Sequence, residues 1–234
     1  LRPAYVNGAI YYGRDGIRSL RSIRARTRRQ RDLAASAERW ATTIICAPLS
    51  AQLLSRRFVN WFCLGIPRDQ IPGGAPEDRG DSGGVRILHA PSHPRAKGTP
   101  EIRRIVERIR RDGTAVEYTE LSGVPNAEVI DRILSCDLVV DQMYSDTPMA
   151  TLALEAAVLG KPTAVGGYGW SELGKHVPGE FVPPSVTCEP QQMETTIMRL
   201  CNDRRILRQA GDDARAFAQT VWNARAVAER YAVV

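Results

Sequence analysis

The sequence predicts an α/β protein built on a doubly wound parallel sheet, preceded by a partial N-terminal α/β segment. Three observations carry this reading. From Val85 onward, short apolar runs alternate with amphipathic helical patterns, the order that builds a parallel sheet with helices on both faces. Just before that point, "GIPRDQIPGGAPEDRGDSGG" (65–84) is dense in Gly, Pro and Asp and has no periodicity, as expected of a linker. The chain has 234 residues, 43% of them hydrophobic and 25% charged, ordinary values for a globular protein. The expected organisation is therefore a segment 1–66, a linker 67–84 and a main domain 85–234.

The elements follow in order. Val6 to Tyr12 is apolar and partly β-prone, and reads as a strand running into the loop "YYGRDG". An arginine-rich helix is expected from there to about Trp40. "TTIICAP" (Thr42 to Pro48) is a short apolar run rich in β-branched residues, read as a buried strand. A short helix at Ala51 to Arg56 and a strand at Phe58 to Leu64 complete the segment. In the main domain "VRILHA" (Val85 to Ala90) is a strand. Pro100 to Arg111 is a helix with Ile102, Ile105, Val106 and Ile109 on one face. "AVEYTEL" is a strand, Asn126 to Ser135 a helix and "DLVVDQ" a strand. Met149 to Leu159 is a helix, "PTAVGG" a strand and "EFVPP" (Glu180 to Pro184) a short strand. Two helices close the chain, the last carrying Phe217, Ala218, Val221, Ala224, Ala228 and Tyr231 along one stripe.

Charge and cysteines narrow the function classes. The net charge is +6, but between Arg14 and Arg31 eight Arg face one acid, Asp15. Arg18, Arg21, Arg24, Arg28 and Arg31 recur at helical spacing and form one basic stripe. Such a stripe suits an anionic membrane surface or polyphosphate, and equally a solvated helix face, the plainer reading. Nucleic acid is disfavoured, because no aromatic residue is interleaved for base stacking. The five Cys are odd in number and form no C-x-x-C pair, which points to reduced thiols in a cytoplasmic protein, without a zinc site. No apolar run reaches the ~20 residues of a membrane span. Leu1 rather than Met opens the chain, so a fragment of a longer protein is expected.

In a doubly wound sheet ligands bind beyond the carboxyl ends of the strands, and three loops lie there. "HAPSHPRAKGT" (His89 to Thr99) contains Ser92, Arg95 and Lys97, and its two cations suit a diphosphate. His89 and His93 have the spacing of a helical metal pair, but Pro91 and Pro94 argue against a regular helix there. "LSGVPNAE" (Leu121 to Glu128) makes a turn at Gly123 and Val124 into a helix capped by Asn126, and its backbone groups could hold a base or simply connect. In "SDTPMATLALEAAVLGKPTAV", Thr147 and Pro148 read as N-cap and first helical residue, leaving the amides of Met149, Ala150 and Thr151 to an anion. Glu155 stands two turns inside that apolar helix. Its carboxylate could accept hydrogen bonds from ribose hydroxyls, or it could be a structural group paired with an Arg. Geometry leaves both open.

Other nucleotide motifs are missing. "GGYGWSELG" has Glu172 where the third glycine of G-x-G-x-x-G should be, and "LGKP" lacks the Ser or Thr of a phosphate-binding loop. A dehydrogenase and a P-loop NTPase are disfavoured.

Taken together, "HAPSHPRAKGT", "CDLVVDQ" and "ALEAAVLGKPTAV" resemble the donor-binding domain of retaining, family-four-like (group 1) glycosyltransferases, which have the two-Rossmann GT-B fold. The resemblance spans about 85–234. "YYGRDGIRS" through "TIICAPLSAQLL" resembles the end of such an enzyme's N-terminal, acceptor-side domain. The resemblance implies a Rossmann-like donor domain and transfer of a sugar from a nucleotide-sugar to an unknown acceptor. It implies that Glu155 is the second Glu of the family's Glu, seven residues, Glu signature and holds the ribose. Lys97 would contact the diphosphate, and the Met149 to Thr151 amides would form its helix-start site. No cofactor or metal is expected. Two positions depart from the pattern: the first signature Glu falls at Thr147, and the Arg after the first strand falls at Pro91, leaving Arg95 or His93 to compensate. Both departures concern the sugar and diphosphate end, so a catalytically inactive module that binds a nucleotide or a partner is the alternative expectation.

Overall fold

The structure, a computed structural model, describes residues 20–46, 54–59, 65–66, 83–175 and 177–233. The chain divides into two compact units: Leu1–Phe62 with Ser171–Val182 and Val234, and Cys63–Trp170 with Pro183–Val233.

In the first unit the arginine-rich segment forms helix α1, Leu20–Trp40. Thr27 and Glu38 are its buried polar residues, whereas Leu33 and Trp40 are exposed. Glu38 accepts hydrogen bonds from the Ser55 amide (2.7 Å), the Ser55 hydroxyl (2.6 Å) and the Arg56 amide (2.8 Å). Those bonds, the hydroxyl's above all, hold its carboxyl below the usual range. They also explain why Leu54 to Arg56 is not helical, contrary to expectation: the amides of Ser55 and Arg56 go to Glu38. Within the described part of "TTIICAP" a single parallel bridge, Ile45 to Val59, replaces the buried strand predicted there, and Ile45 is 37% exposed. An apolar run becomes a buried strand only where both its faces are covered. The strand expected at Val6 to Tyr12, the part of Phe58 to Leu64 beyond Val59, and residues 67–82 of the linker lie outside the described residues.

The second unit holds a five-stranded parallel sheet of order β2-β1-β3-β4-β5. Its strands are β1 Val85–His89, β2 Val116–Glu120, β3 Leu138–Ser145, β4 Thr163–Gly167 and β5 Val186–Cys188. The helices between them are α2 Pro94–Lys97, α3 Thr99–Arg111, α4 Asn126–Ser135, α5 Thr151–Val158 and α6 Trp170–Leu173. After β5 come α7 Met193–Asn202, α8 Arg204–Thr220 and α9 Ala224–Tyr231.

Successive strand residues point to opposite faces, so one sheet feeds two cores. Val85, Ile87, Leu138 and Val140 join Ile102, Ile105, Val106 and Ile109 of α3 and Ile197 and Leu200 of α7. Leu88 and Val139 face the other way, against Ile130 and Ile133 of α4 and Ala156 of α5. The apolar stripe read for α3 is the stripe that is buried. At the amino-terminal edge of the sheet Asp137 receives the Arg86 amide (2.8 Å) and guanidinium (2.9 Å), which ties β1 to β3.

Three expected boundaries move. The strand predicted at Glu180 to Pro184 is a 3-10 turn at Gly179–Phe181, and the strand forms at Val186–Cys188 instead, because Pro183 and Pro184 have no N–H to give a ladder. The final apolar stripe is split between α8 and α9, since Asn223 accepts from the Ala226 amide (2.8 Å) and caps a new helix. Pro94 does not suppress helix but opens the single turn of α2 from its first position. Among the described residues no helix is long and apolar enough to cross a membrane.

Candidate functional site

The strand order changes direction at β1, whose neighbours are β2 and β3, and helices leave the two sides of that point on opposite faces. A crevice opens there, at the carboxyl ends of the strands. It encloses about 360 Å³, within the usual range for a small-molecule site. Ala90, Pro91 and Ser92 after β1, the loop 121–124 after β2, Asp141 of β3 and Ala150 to Leu152 at the start of α5 form its walls, with Lys97, Asn126 and Glu155.

Lys97 is delivered by the short α2, which ends at Gly98 with φ of 75°. Glycine is required there twice over: the backbone is left-handed, and a Cβ would stand 2.6 Å from Cβ of Met143. The floor beneath α2 is set by His89, buried at the end of β1. Its Nδ1 donates to the Val140 carbonyl (2.7 Å), so its Nε2 accepts from the Thr99 hydroxyl (2.8 Å). Burial pushes the ring's pKa down and keeps it neutral. His89 is thus a structural bracket joining β1, β3 and α3.

Asp141 was not singled out from the sequence. It is the extra residue where the β3–β4 register shifts between Val140 and Gln142, a bulge that turns its carboxylate toward the cleft. Only 1% exposed, it accepts from Lys97 Nζ (3.2 Å) and from Gln142 Nε2 (3.1 Å). Gln142 also donates to the Ser145 hydroxyl (2.8 Å), which in turn donates to the Thr147 carbonyl (2.6 Å). A hydrogen-bonded chain therefore runs from the cleft's cation to the loop before α5.

That loop corrects the predicted helix start. Thr147 is not the N-cap: its amide donates to Ser145 Oγ (3.1 Å), and the cap is Ala150, with extended backbone and no side-chain hydrogen bond. With its amide and carbonyl both bonded to Ser145 Oγ, Thr147 stays in the bend before the helix, and the start lies three residues on. Of the three amides expected to face an anion, only that of Thr151 lies in the first turn. Asn126 is likewise not a cap. Pro125 holds that place, and the Asn126 side chain donates to Glu155 Oε1 at 3.0 Å.

Glu155 is 9% exposed and its described partner is this amide, not an Arg. Burial raises its pKa, the Asp141 charge adds to that, and the Asn126 hydrogen bond opposes both. Of the residues proposed from the sequence, Ser92, Lys97, Gly123, Val124, Ala150, Thr151 and Glu155 line the cleft, whereas Arg95, Thr147 and Met149 do not. Gly167 of the incomplete glycine motif serves packing: a Cβ there would meet the ring of Trp170, whose Nε1 donates to the Cys188 carbonyl (3.0 Å). Of the basic stripe, Arg24 and Arg28 are exposed on α1, and Arg18 and the Arg21 side chain lie outside the described residues.

No family model and no curated protein matches the chain. Solved structures do. Anabaena HepE in complex with UDP and glucose superposes with a TM-score of 0.57 at 14% identity, over 89% of this chain and 67% of that one. HepE in complex with UDP-glucose gives 0.55, again at 14% identity, over 89% of this chain and 68% of that one. TarM gives 0.54 at 12% identity, over 82% of this chain and 42% of its own. The fold is GT-B-like. In this GT-B-like chain the five parallel strands form the Rossmann-like sheet. The chain spans about two thirds of HepE and less than half of TarM.

Proposed function

We propose that this GT-B-like chain is the donor side of a nucleotide-sugar-dependent glycosyltransferase, with residues 85–234 as the nucleotide-binding domain and 1–66 as part of the acceptor side. The observation that carries the reading is one cleft holding Lys97, Glu155 and an α5 start without a side-chain cap. Lys97 would meet the diphosphate, and Glu155 would accept from the ribose hydroxyls. The loop at Gly123 and Val124 would border the base. HepE, which covers 89% of this chain, was solved in complex with UDP and glucose and with UDP-glucose, which supports the same ligand class here.

In the reaction, negative charge grows on the departing nucleoside diphosphate as the bond to the sugar breaks. A fixed ammonium and oriented helix amides stabilise that charge without having to reorganise. The amides of Thr151, Leu152 and Ala153 in the first turn of α5 replace those assigned from sequence. Transfer with retention of anomeric configuration belongs to the same proposal.

Calorimetric titration of the purified chain with UDP and with ADP tests it. Binding of either by the parent chain, and its loss in Glu155→Ala, is expected. A parent that binds neither, or a variant that binds as well as the parent, sinks the reading. Turnover is checked separately, by release of UDP from a UDP-sugar by the longest natural form of the protein.

A further inference from the structure

Asn126 has a placement that the nucleotide-binding reading does not by itself explain. It sits at the first position of α4, exposed, where a polar residue usually serves its own helix end. Here its side chain reaches 29 residues along the chain instead, donating to Oε1 of Glu155 at 3.0 Å. Among the described residues no other group donates to Glu155, so none of them supplies a donor to Oε2 while its residue lines the cleft. The charged groups facing it are Asp141 on β3 and Lys97 on α2, and these two are paired with each other. On the neighbouring α8, Arg215 reaches the Leu159 carbonyl (3.0 Å), past the far end of α5.

We propose that Asn126 is a positioning residue, which clamps one oxygen of Glu155 so that the other is presented to a vicinal diol and the cleft selects ribonucleoside over deoxyribonucleoside diphosphates. The inference rests on the nucleotide-binding reading above. A carboxylate free to rotate can turn its oxygens away from a ligand, and one held at a single oxygen cannot. The clamp also favours the ionised form, the one that accepts from two hydroxyls, against burial and the Asp141 charge. Because Asn126 belongs to α4 and follows the Leu121 to Val124 loop, the clamp joins the wall expected at the base to the group expected at the ribose.

The test is calorimetry on the full chain with two probes, UDP and 2′,3′-dideoxyuridine diphosphate, across a range of pH. The parent is expected to prefer UDP. Asn126→Ala is expected to weaken UDP about tenfold, the worth of one hydrogen bond to a charged group, while leaving the dideoxy probe within about twofold. The acid midpoint of UDP binding should move to higher pH in this variant, because the bond that favoured ionisation is gone. Asn126→Asp, which sets a second carboxylate against the first, should move it further. Equal weakening of both probes, or an unmoved midpoint, overturns the clamp and leaves nucleotide binding standing. A parent that binds neither probe overturns the underlying reading itself. Without their donor the variants are expected to melt below the parent near neutral pH and to approach it as pH falls, and melting curves recorded under the titration conditions check that each is folded where it is compared.

Discussion

A carboxylate that is 9% exposed, with an amide as its described partner, costs the fold stability. The sign follows from its raised pKa. Between the ordinary carboxylate value of 4.5 and the raised folded value, the folded state holds a proton that the unfolded state has lost, so stability falls as pH rises through that window. Glu155→Gln removes the charge and can still accept from Asn126. It is expected to melt above the parent near neutral pH, with the gap closing as pH falls toward 4.5, and to bind UDP worse. If Lys97 meets the diphosphate as proposed, Lys97→Met is expected to lose about tenfold or more in affinity for UDP while uridine binds as before. Calorimetry with the two ligands separates these outcomes. Glu155 and Lys97 could be picked out in the sequence because each is conspicuous in its segment: one charge in an apolar helix, one cation at the close of a loop. Asp141 and Asn126 could not. Asp141 reaches the cleft through a bulge, and Asn126 has the sequence setting of an ordinary cap.

Elements with a strong local pattern are the ones the sequence discloses. The α3 stripe of Ile102, Ile105, Val106 and Ile109 is an example, because amphipathic spacing alone decides which face is buried. Boundaries set by a proline or by a single side chain are harder to read. The α5 start moved from Thr147 to Ala150 because Ser145 Oγ takes both backbone groups of Thr147, and Asn223 cut one apolar stripe into two helices. Two predictions belong at this scale. His89 joins β1, β3 and α3, and burial lowers its pKa, so stability is lost as pH falls below the ordinary value of 6.5. His89→Leu should cost about 3 kcal/mol near neutral pH by orphaning the Val140 carbonyl, and should flatten that acid slope, as measured by urea denaturation at several pH values. Gly98→Ala forces a Cβ against Met143 at a φ of 75°, and a loss of about 2 kcal/mol or more is expected in the same assay.

At the scale of the whole molecule, every residue lining the cleft lies between Ala90 and Glu155, inside the unit that begins at Cys63. A fragment from Cys63 onward is therefore expected to unfold cooperatively and to bind UDP as the full chain does, which denaturation and calorimetry on the fragment check. The GT-B-like sheet was legible from strand and helix alternation, whereas the described part of "TTIICAP" in the first unit was read less well because it resembles a core strand without being covered like one. One feature of the cleft also offers a direct test of the proposed ligand. Helix α5 starts without a side chain to satisfy its first amides, so an anion seated there would supply the missing terminus. A ligand that completes the fold raises its unfolding free energy, by about 2.7 kcal/mol at a hundredfold excess over its Kd, and with it the melting temperature. A melting screen across uridine, adenosine, guanosine and thymidine diphosphates would then sort the bases and sugars by temperature alone, with no acceptor and no assay of transfer.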